Sequence, residues 1–518
     1  MTIRGIRVKQ SITNDLTASF VVFLVALPLC LGIAIASGTP PARGIVTGIV
    51  GGIVVGTITG SPLQVSGPAA GLAVIIVQFI HRYGIEMLGP VLLLAGLIQL
   101  LAGMFKLGQS FRAMSPAVIY GMLAGIGVVI VASQFHVMID DKPHEKGLEN
   151  LITIPQALYK SFFPSDGSIH YIAAIVGIVT LITLVLWERF KPRSLKLLPG
   201  ALVAVVLATV IATVMKLPLQ HVNVPTNLAE TLQLPTLGNL MGVVQAPILL
   251  EALAIAFIAS AESLLSAAAV DQLQQEHRTD FDRELAAQGF GNMVCGLLGA
   301  LPMTGVIARS SVNVEAGAKT RLSTVLHGVW LLVMVVAIPG VLKLVPTASL
   351  AAILVFTGYK LVKVEKIRKL QQYGRFPLVI YFITLFGIVA VDLLTGVLLG
   401  IGLTAGRVIY KVSSLNVRLE GGKNQRMDLH LEGAATFIQL PKLANTLEEI
   451  PPGTKLHLHM EKLAYIDHSC LDLFSTWQKQ QEKTGGSLVV QWDKLVERFQ
   501  KLMPPHADEP PIEVSDTY

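Results

Sequence analysis

Residues 61–71 read Ser61-Pro62-Leu63-Gln64-Val65-Ser66-Gly67-Pro68-Ala69-Ala70-Gly71, and residues 301–311 read Leu301-Pro302-Met303-Thr304-Gly305-Val306-Ile307-Ala308-Arg309-Ser310-Ser311. Both stretches interrupt long apolar runs. Proline has no amide hydrogen and its ring clashes with the preceding turn, so neither stretch continues as one regular helix. Each predicts an extended entry followed by a short helix, with Ser66 capping the first helix and Thr304 the second. Each is the third segment of one half of the chain. Interrupted segments in matching places of two halves point to a transport site between inverted repeats.

The rest of the chain is that of a membrane protein. Of its 518 residues, 52% are hydrophobic and only 14% are charged, against about 25% charged in ordinary soluble domains. Mean hydropathy is +0.63. A soluble enzyme, a disordered chain and a nucleic-acid binder are poor fits to these values. Nor does the net charge of +6 imply nucleic acid, because Lys and Arg collect in the cytoplasmic loops of membrane proteins. Thr39-Pro40-Pro41 after the first apolar run is not a small-x-small cleavage site, so that run is expected to be retained as a span. Cys30, Cys295 and Cys470 form neither a disulfide framework nor a metal motif.

The charge-free windows are Thr17–Ala42, Gly44–Ile80, Met87–Phe105, Ala113–Ile139, Gly167–Trp187, Leu197–Met215, Leu285–Ala308, Leu322–Leu342, Phe376–Val391 and Leu393–Gly406; Pro247–Val270 is broken only by Glu251 and Glu262. Splitting the second window near Pro62 and adding short segments at 305–318 and 346–361 predicts about fourteen membrane segments. Basic clusters at Arg4/Arg7/Lys9, Lys106/Arg112, Arg189/Lys191/Arg193/Lys196, Arg278/Arg283, Lys319/Arg321 and Lys363/Lys366/Arg368/Lys369 then fall on one side, read as the cytoplasm. Residues 1–16 are expected to be a cytoplasmic terminus and 17–412 the membrane domain, with repeats at about 17–215 and 247–412.

After Lys411 the pattern changes. Residues 425–432, 456–460 and 488–490 alternate or read as strands, with helical stretches near 441–449 and 469–483 between them. A small α/β domain at 420–503 and a disordered tail at 504–518 are expected.

The chemistry follows from the two short helices. A helix N-terminus inside a membrane presents unpaired N–H groups and about half a positive charge, so two facing each other favour an anion. Arg309 adds a full charge one turn beyond Thr304. An arginine at membrane depth costs at least about 2.5–3.5 kcal/mol unless it faces a wet cavity, an anion or a counter-charge. Glu262 lies well inside its segment and has three open roles: to carry a coupling proton, to bind Na⁺ beside Ser266, or to neutralise Arg309. Glu251 and Glu284 are read as lying near membrane edges.

Several motifs are similar to those of the sulfate permease family (solute carrier family 26). They are Glu262-Ser263-Leu264-Leu265-Ser266, the run Glu284 to Asn292, Thr304 to Ser310, Asn313, Ala316-Gly317 and Thr320 to Ser323, with Leu27-Pro28 and Ser66-Gly67-Pro68 upstream. Tyr465-Ile466-Asp467-His468-Ser469 resembles the strand-to-helix turn of a STAS domain. The resemblance spans about 15–500. It implies an α-helical polytopic membrane protein with two inverted seven-segment repeats, built as core and gate domains like the nucleobase permeases, plus a cytoplasmic α/β STAS domain. It also implies elevator-type transport in a homodimer of a bacterial plasma membrane, without enzymatic activity or a cofactor. Carried over by position, the anion site comprises Leu29, Ile33, Ser66, Gly67, Ala69, Ala70, Thr304, Gly305, Ala308, Arg309 and Ser310, with Glu262 and Ser266 for the coupling ion, H⁺ or Na⁺. Several relatives have a polar residue at the place of Leu29 and a threonine or phenylalanine at that of Ala69, so the pocket here is less polar. Ser469 stands where some STAS domains are phosphorylated; a helix N-cap region is the alternative there.

The expected activity is secondary-active transport of a small inorganic anion, bicarbonate or sulfate. Chloride, nitrate or dicarboxylate transport, a nucleobase permease, and a non-transporting STAS-linked sensor are the alternatives.

Overall fold

Apolar windows become helices because only a helix satisfies its own backbone groups in lipid. The computed structural model describes every residue except Met1, 112–114, 145, 164–169, 193–194, 196–197, 224–232, 244, 275–276, 338, 422–425 and 492–518. Among the described residues, 8 helices are long and apolar enough to cross a membrane, and four shorter ones are also apolar. Phe281–Leu297 and Ile307–Glu315 are helical too, so a helix stands in every window that the sequence marks.

The chain divides into two compact units, Met1–Ile401 and Gly402–Tyr518. In the first, helices α1 (Thr2–Ala36), α2 (Pro41–Val50), α3 (Ala70–Tyr83) and α4 (Leu88–Met104) pack with α9 (Ala246–Leu273), α10 (Phe281–Leu297), α11 (Ile307–Glu315) and α12 (Leu322–Ala337). A second group joins α5 (Pro116–Met138), α6 (Gly147–Phe162), α7 (His170–Phe190) and α8 (Gly200–Val214) to α13 (Thr347–Leu361) and α15 (Arg375–Ala390). Helix α14 (Val364–Gln372) carries the basic run that the sequence placed in a loop, and α16 (Leu393–Val412) follows. Helix α1 starts at Thr2 and continues through Pro28.

Two short strands hold the first unit together. β1 (Ser66–Pro68) pairs antiparallel with β2 (Met303–Gly305) in the register Ser66↔Gly305, Gly67↔Thr304, Pro68↔Met303. Helices α4 and α10 pack nearly backbone to backbone. A Cβ on Gly96 would lie 2.6 Å from Gly289 O, and one on Gly296 would lie 2.7 Å from Gly89 O. Small residues at helical spacing allow such approach in membranes.

The second unit contains a four-stranded sheet in chain order: β3 (Leu415–Gly421), β4 (Arg426–Ala435), β5 (Lys455–Ile466) and β6 (Ser487–Gln491). β3–β4 is antiparallel; β4–β5 and β5–β6 are parallel. Helices α17 (Leu440–Glu448) and α18 (His468–Glu482) form the crossovers, and Leu443, Leu447, Phe474 and Trp477 pack on Leu429, Leu431, Leu456 and Leu458. The unit begins earlier than the expected 420, because Leu415 of β3 is part of this core. The expected tail, 504–518, lies outside the described residues.

Candidate functional site

The two interrupted segments meet at the β1–β2 crossing. The structure corrects how they are built. Ser66 and Thr304 are strand residues, not caps; the residue preceding α3 is Ala69, and the one preceding α11 is Val306. Neither helix has a side-chain cap hydrogen bond. Pairing between the strands satisfies the extended backbone, and the hydroxyls are engaged elsewhere: Ser66 Oγ accepts from Gln288 Nε2 and Thr304 Oγ1 donates to Glu262 Oε2. Two uncapped N-termini thus converge on one ribbon.

A buried polar framework holds the ribbon. Asn292 accepts from Met303 N at 2.7 Å and donates to Met303 O at 3.1 Å. Gly305 N donates to Ser263 Oγ at 3.1 Å, while Ser266 Oγ donates to Gly305 O at 2.6 Å. Ser310 Oγ accepts from Val65 N at 2.9 Å. Each bond ties a segment of one half to the other or to its neighbouring helix.

Glu284, read from the sequence as lying near a membrane edge, is a centre of this framework. It is fully buried in α10, and its Oε2 accepts from Thr59 Oγ1, from Gly60 N at 2.9 Å and from Ser61 N at 3.1 Å. Its Oε1 accepts from Gln64 Nε2 at 2.9 Å and Gln288 Nε2 at 2.8 Å. Gln288 also donates to Ser66 Oγ at 2.6 Å. The sequence did not assign Glu284, Gln288, Asn292 or Gln64 to the site. The available signal was spacing: Glu284, Gln288 and Asn292 recur every fourth residue and share one helix face.

Arg309 is also fully buried, and its Nε, Nη1 and Nη2 have no hydrogen-bond partner among the described residues. Its guanidinium reaches the opposite half, where a Cβ on Gly67 would overlap Nη1. Cys30 and the buried His327 lie within its field. Arg309, expected to face a wet cavity or an anion, lies in the packed interior at the ribbon. No ion pair joins it to Glu262.

Glu262 sits at the other half-helix. Thr304 Oγ1 donates to its Oε2 at 3.4 Å, and a Cβ on Gly71 would overlap its Oε1. A carboxylate there is placed against the positive end of α3. Ser266 spends its proton on Gly305 O, one residue from Thr304.

A cavity of about 620 Å³ counts Leu29 and Ala308 among its lining residues. Ile33 and Ala69 are buried nearby in the sequence elements that carry them, α1 and the entry to α3. Ala70 opens α3. The structure thus gathers Ser66, Gly67, Thr304, Gly305, Arg309 and Ser310 at the ribbon, and exposes only Leu29 and Ala308 of the candidate residues to this cavity. Among the described residues no cluster of three or more His, Cys, Asp or Glu could hold a metal ion. In the second unit, Asp467 caps α18 by accepting from Cys470 N at 3.0 Å, and Ser469 is exposed in the first turn.

The model of the sulfate permease family matches residues 12–384. YvdB of Bacillus subtilis (strain 168), named provisionally as a sulfate transporter, is 30% identical over 501 residues, 93% of this chain and 91% of that protein. The bicarbonate transporter BicA of Picosynechococcus sp. is 25% identical, covering 78% of this chain and 72% of its own. Among solved structures, the transmembrane domain of a cyanobacterium bicarbonate transporter BicA aligns with TM-score 0.62 at 24% identity, over 76% of this chain and 98% of that one. The murine anion transporter Slc26a9 in its inward-facing state aligns with TM-score 0.78 at 14% identity, over 95% and 88%.

Proposed function

The chain belongs to the sulfate permease family, and we propose that it is a multi-pass secondary-active transporter of a small inorganic anion, bicarbonate or sulfate. The observation that carries this reading is the convergence of two uncapped half-helix N-termini on one ribbon, with the unpartnered Arg309 buried beneath it. Among the described residues the three guanidinium nitrogens are donors without acceptors. An anion at the crossing supplies what they lack.

In this reading the anion rests between Ala69–Ala70 and Val306–Ala308, and Arg309 contributes its charge from behind the ribbon. The group α1–α4 with α9–α12 moves as an elevator against the second group and carries the site across the membrane. Glu262, placed at the start of α3, carries the coupling ion, H⁺ or Na⁺; without an ion pair to Arg309, its charge is free to respond to that ion. The second unit is a STAS domain on the cytoplasmic side, its two crossover helices packed on the sheet. The functional form is a homodimer in a bacterial plasma membrane, which chemical cross-linking tests.

Reconstituted protein should take up labelled bicarbonate or sulfate under an imposed H⁺ or Na⁺ gradient, with chloride as the comparison. Absence of flux for all three anions from folded protein would sink the proposal.

A further inference from the structure

The cavity lined by Leu29 and Ala308 also carries charged side chains. Six ionisable side chains with charge at neutral pH line it: Lys191, Lys360, Lys363 and Lys366, with Glu188 and Glu315. Most of the remaining wall is aliphatic, including Val21, Leu123, Leu184, Leu265 and Ile353. Two of the lysines are held in place. Lys360 Nζ lies 3.2 Å from Glu188 Oε2 and 4.5 Å from the centre of the Phe356 ring. Lys366 Nζ lies 5.3 Å from the centre of the Tyr120 ring, which joins α14 to α5. Among the described residues no carboxylate pairs with Lys191, Lys363 or Lys366. The Lys360–Glu188 pair cancels, which leaves three lysines against Glu315.

We propose that these lysines form an electrostatic entry collar that concentrates anions at the cavity mouth and favours divalent over monovalent ones. The inference rests on the transport reading and adds to it a selectivity step separate from the ribbon. A low-dielectric wall focuses the field of charges at its rim, and the local enrichment of an anion grows exponentially with its valence. A collar that enriches a monovalent anion by some factor enriches a divalent anion by the square of that factor. Screening sets the range: the field extends several times farther at low ionic strength than at physiological salt. The collar therefore acts on capture, not on the anion once bound at the ribbon.

The test uses the full chain in liposomes, with initial rates of sulfate and bicarbonate exchange at low and high ionic strength. The variant is the pair Lys363→Gln and Lys366→Gln; the control is the pair Lys363→Arg and Lys366→Arg, which keeps the charge. At low ionic strength the glutamine pair should lower kcat/KM about 3-fold for a monovalent anion and about 9-fold, its square, for a divalent one. Saturating rates should be unchanged, the loss should vanish at high ionic strength, and the arginine pair should behave as the unaltered protein. A loss that is equal for both valences, survives high salt, or appears in the arginine pair overturns the collar while leaving transport standing. Unaltered protein that moves neither anion overturns the transport reading and the collar with it.

Discussion

The Nη1 atom of Arg309, from the second half of the membrane unit, occupies the space into which a side chain on Gly67 of the first half would project. Gly67 faces Thr304 across the ribbon, so the charge of one half lies directly against the backbone of the other. Gly67 is thus a packing requirement of Arg309. A methyl group at this position must displace the guanidinium. Gly67→Ala should weaken anion binding about tenfold, equivalent to about 1.4 kcal/mol, as measured by the concentration dependence of exchange. Wild-type affinity in that variant would show that Arg309 does not need its observed place.

Arg309→Ala removes the charge itself. Binding should weaken by about 1.5–3 kcal/mol, the scale of hydrogen bonds to a charged group. Combining it with Gly67→Ala should add little, because both changes act on the same contact. Isothermal titration of the two single variants and the double variant measures the coupling; full additivity would argue against a shared role.

Glu262→Gln keeps the shape at the start of α3 but removes the titratable charge. If Glu262 carries a proton, the variant should lose H⁺-driven accumulation and keep anion exchange. If it binds Na⁺, the Na⁺ dependence of uptake should disappear instead. Accumulation measured against each gradient separates the two, and unchanged coupling to both ions would remove Glu262 from the coupling step.

Glu284 accepts from five donors, two of them the backbone amides of Gly60 and Ser61. Glutamine at this position turns its amide hydrogens toward some of those donors. Glu284→Gln should cost about 1–3 kcal/mol for each donor left unpaired in the interior, read as a lower melting temperature in detergent. Bound anion should restore part of the loss, since it stabilises the same ribbon. A melting temperature equal to that of the unaltered protein would mean that the network is dispensable.

In the second unit, Asp428 receives hydrogen bonds from Arg426 at 3.0 Å and His459 at 2.9 Å. Arg426 foremost, then His459, holds its carboxyl down at about 2. Its folded value is below the unfolded one, so its stabilisation is complete above about pH 4 and is lost as pH falls toward 2. Asp428→Asn should flatten the acid-unfolding curve of a 413–518 fragment in that window. The same fragment started at 420 lacks Leu415 and most of β3. It should lose cooperative melting, because one fully buried leucine alone contributes about 1.5–3 kcal/mol.

The sequence by itself determined the features that neighbouring residues encode. Long apolar windows mark the helices, and Pro62, Pro68 and Pro302 mark the breaks. Alternation in 425–432 and 456–460 marks two strands of the second unit. Tertiary structure decided what depends on residues far apart in the chain. That Ser66 pairs with Gly305 and is not a cap, that Arg309 turns under Gly67 and not into the open cavity, and that Glu284 is buried under donors from Thr59 to Gln64 are consequences of the two halves crossing. The physical reason is that a buried polar group takes the partner that the fold brings to it. Local sequence shows that Ser66, Arg309 and Glu284 need partners; only the packed chain shows which atoms supply them.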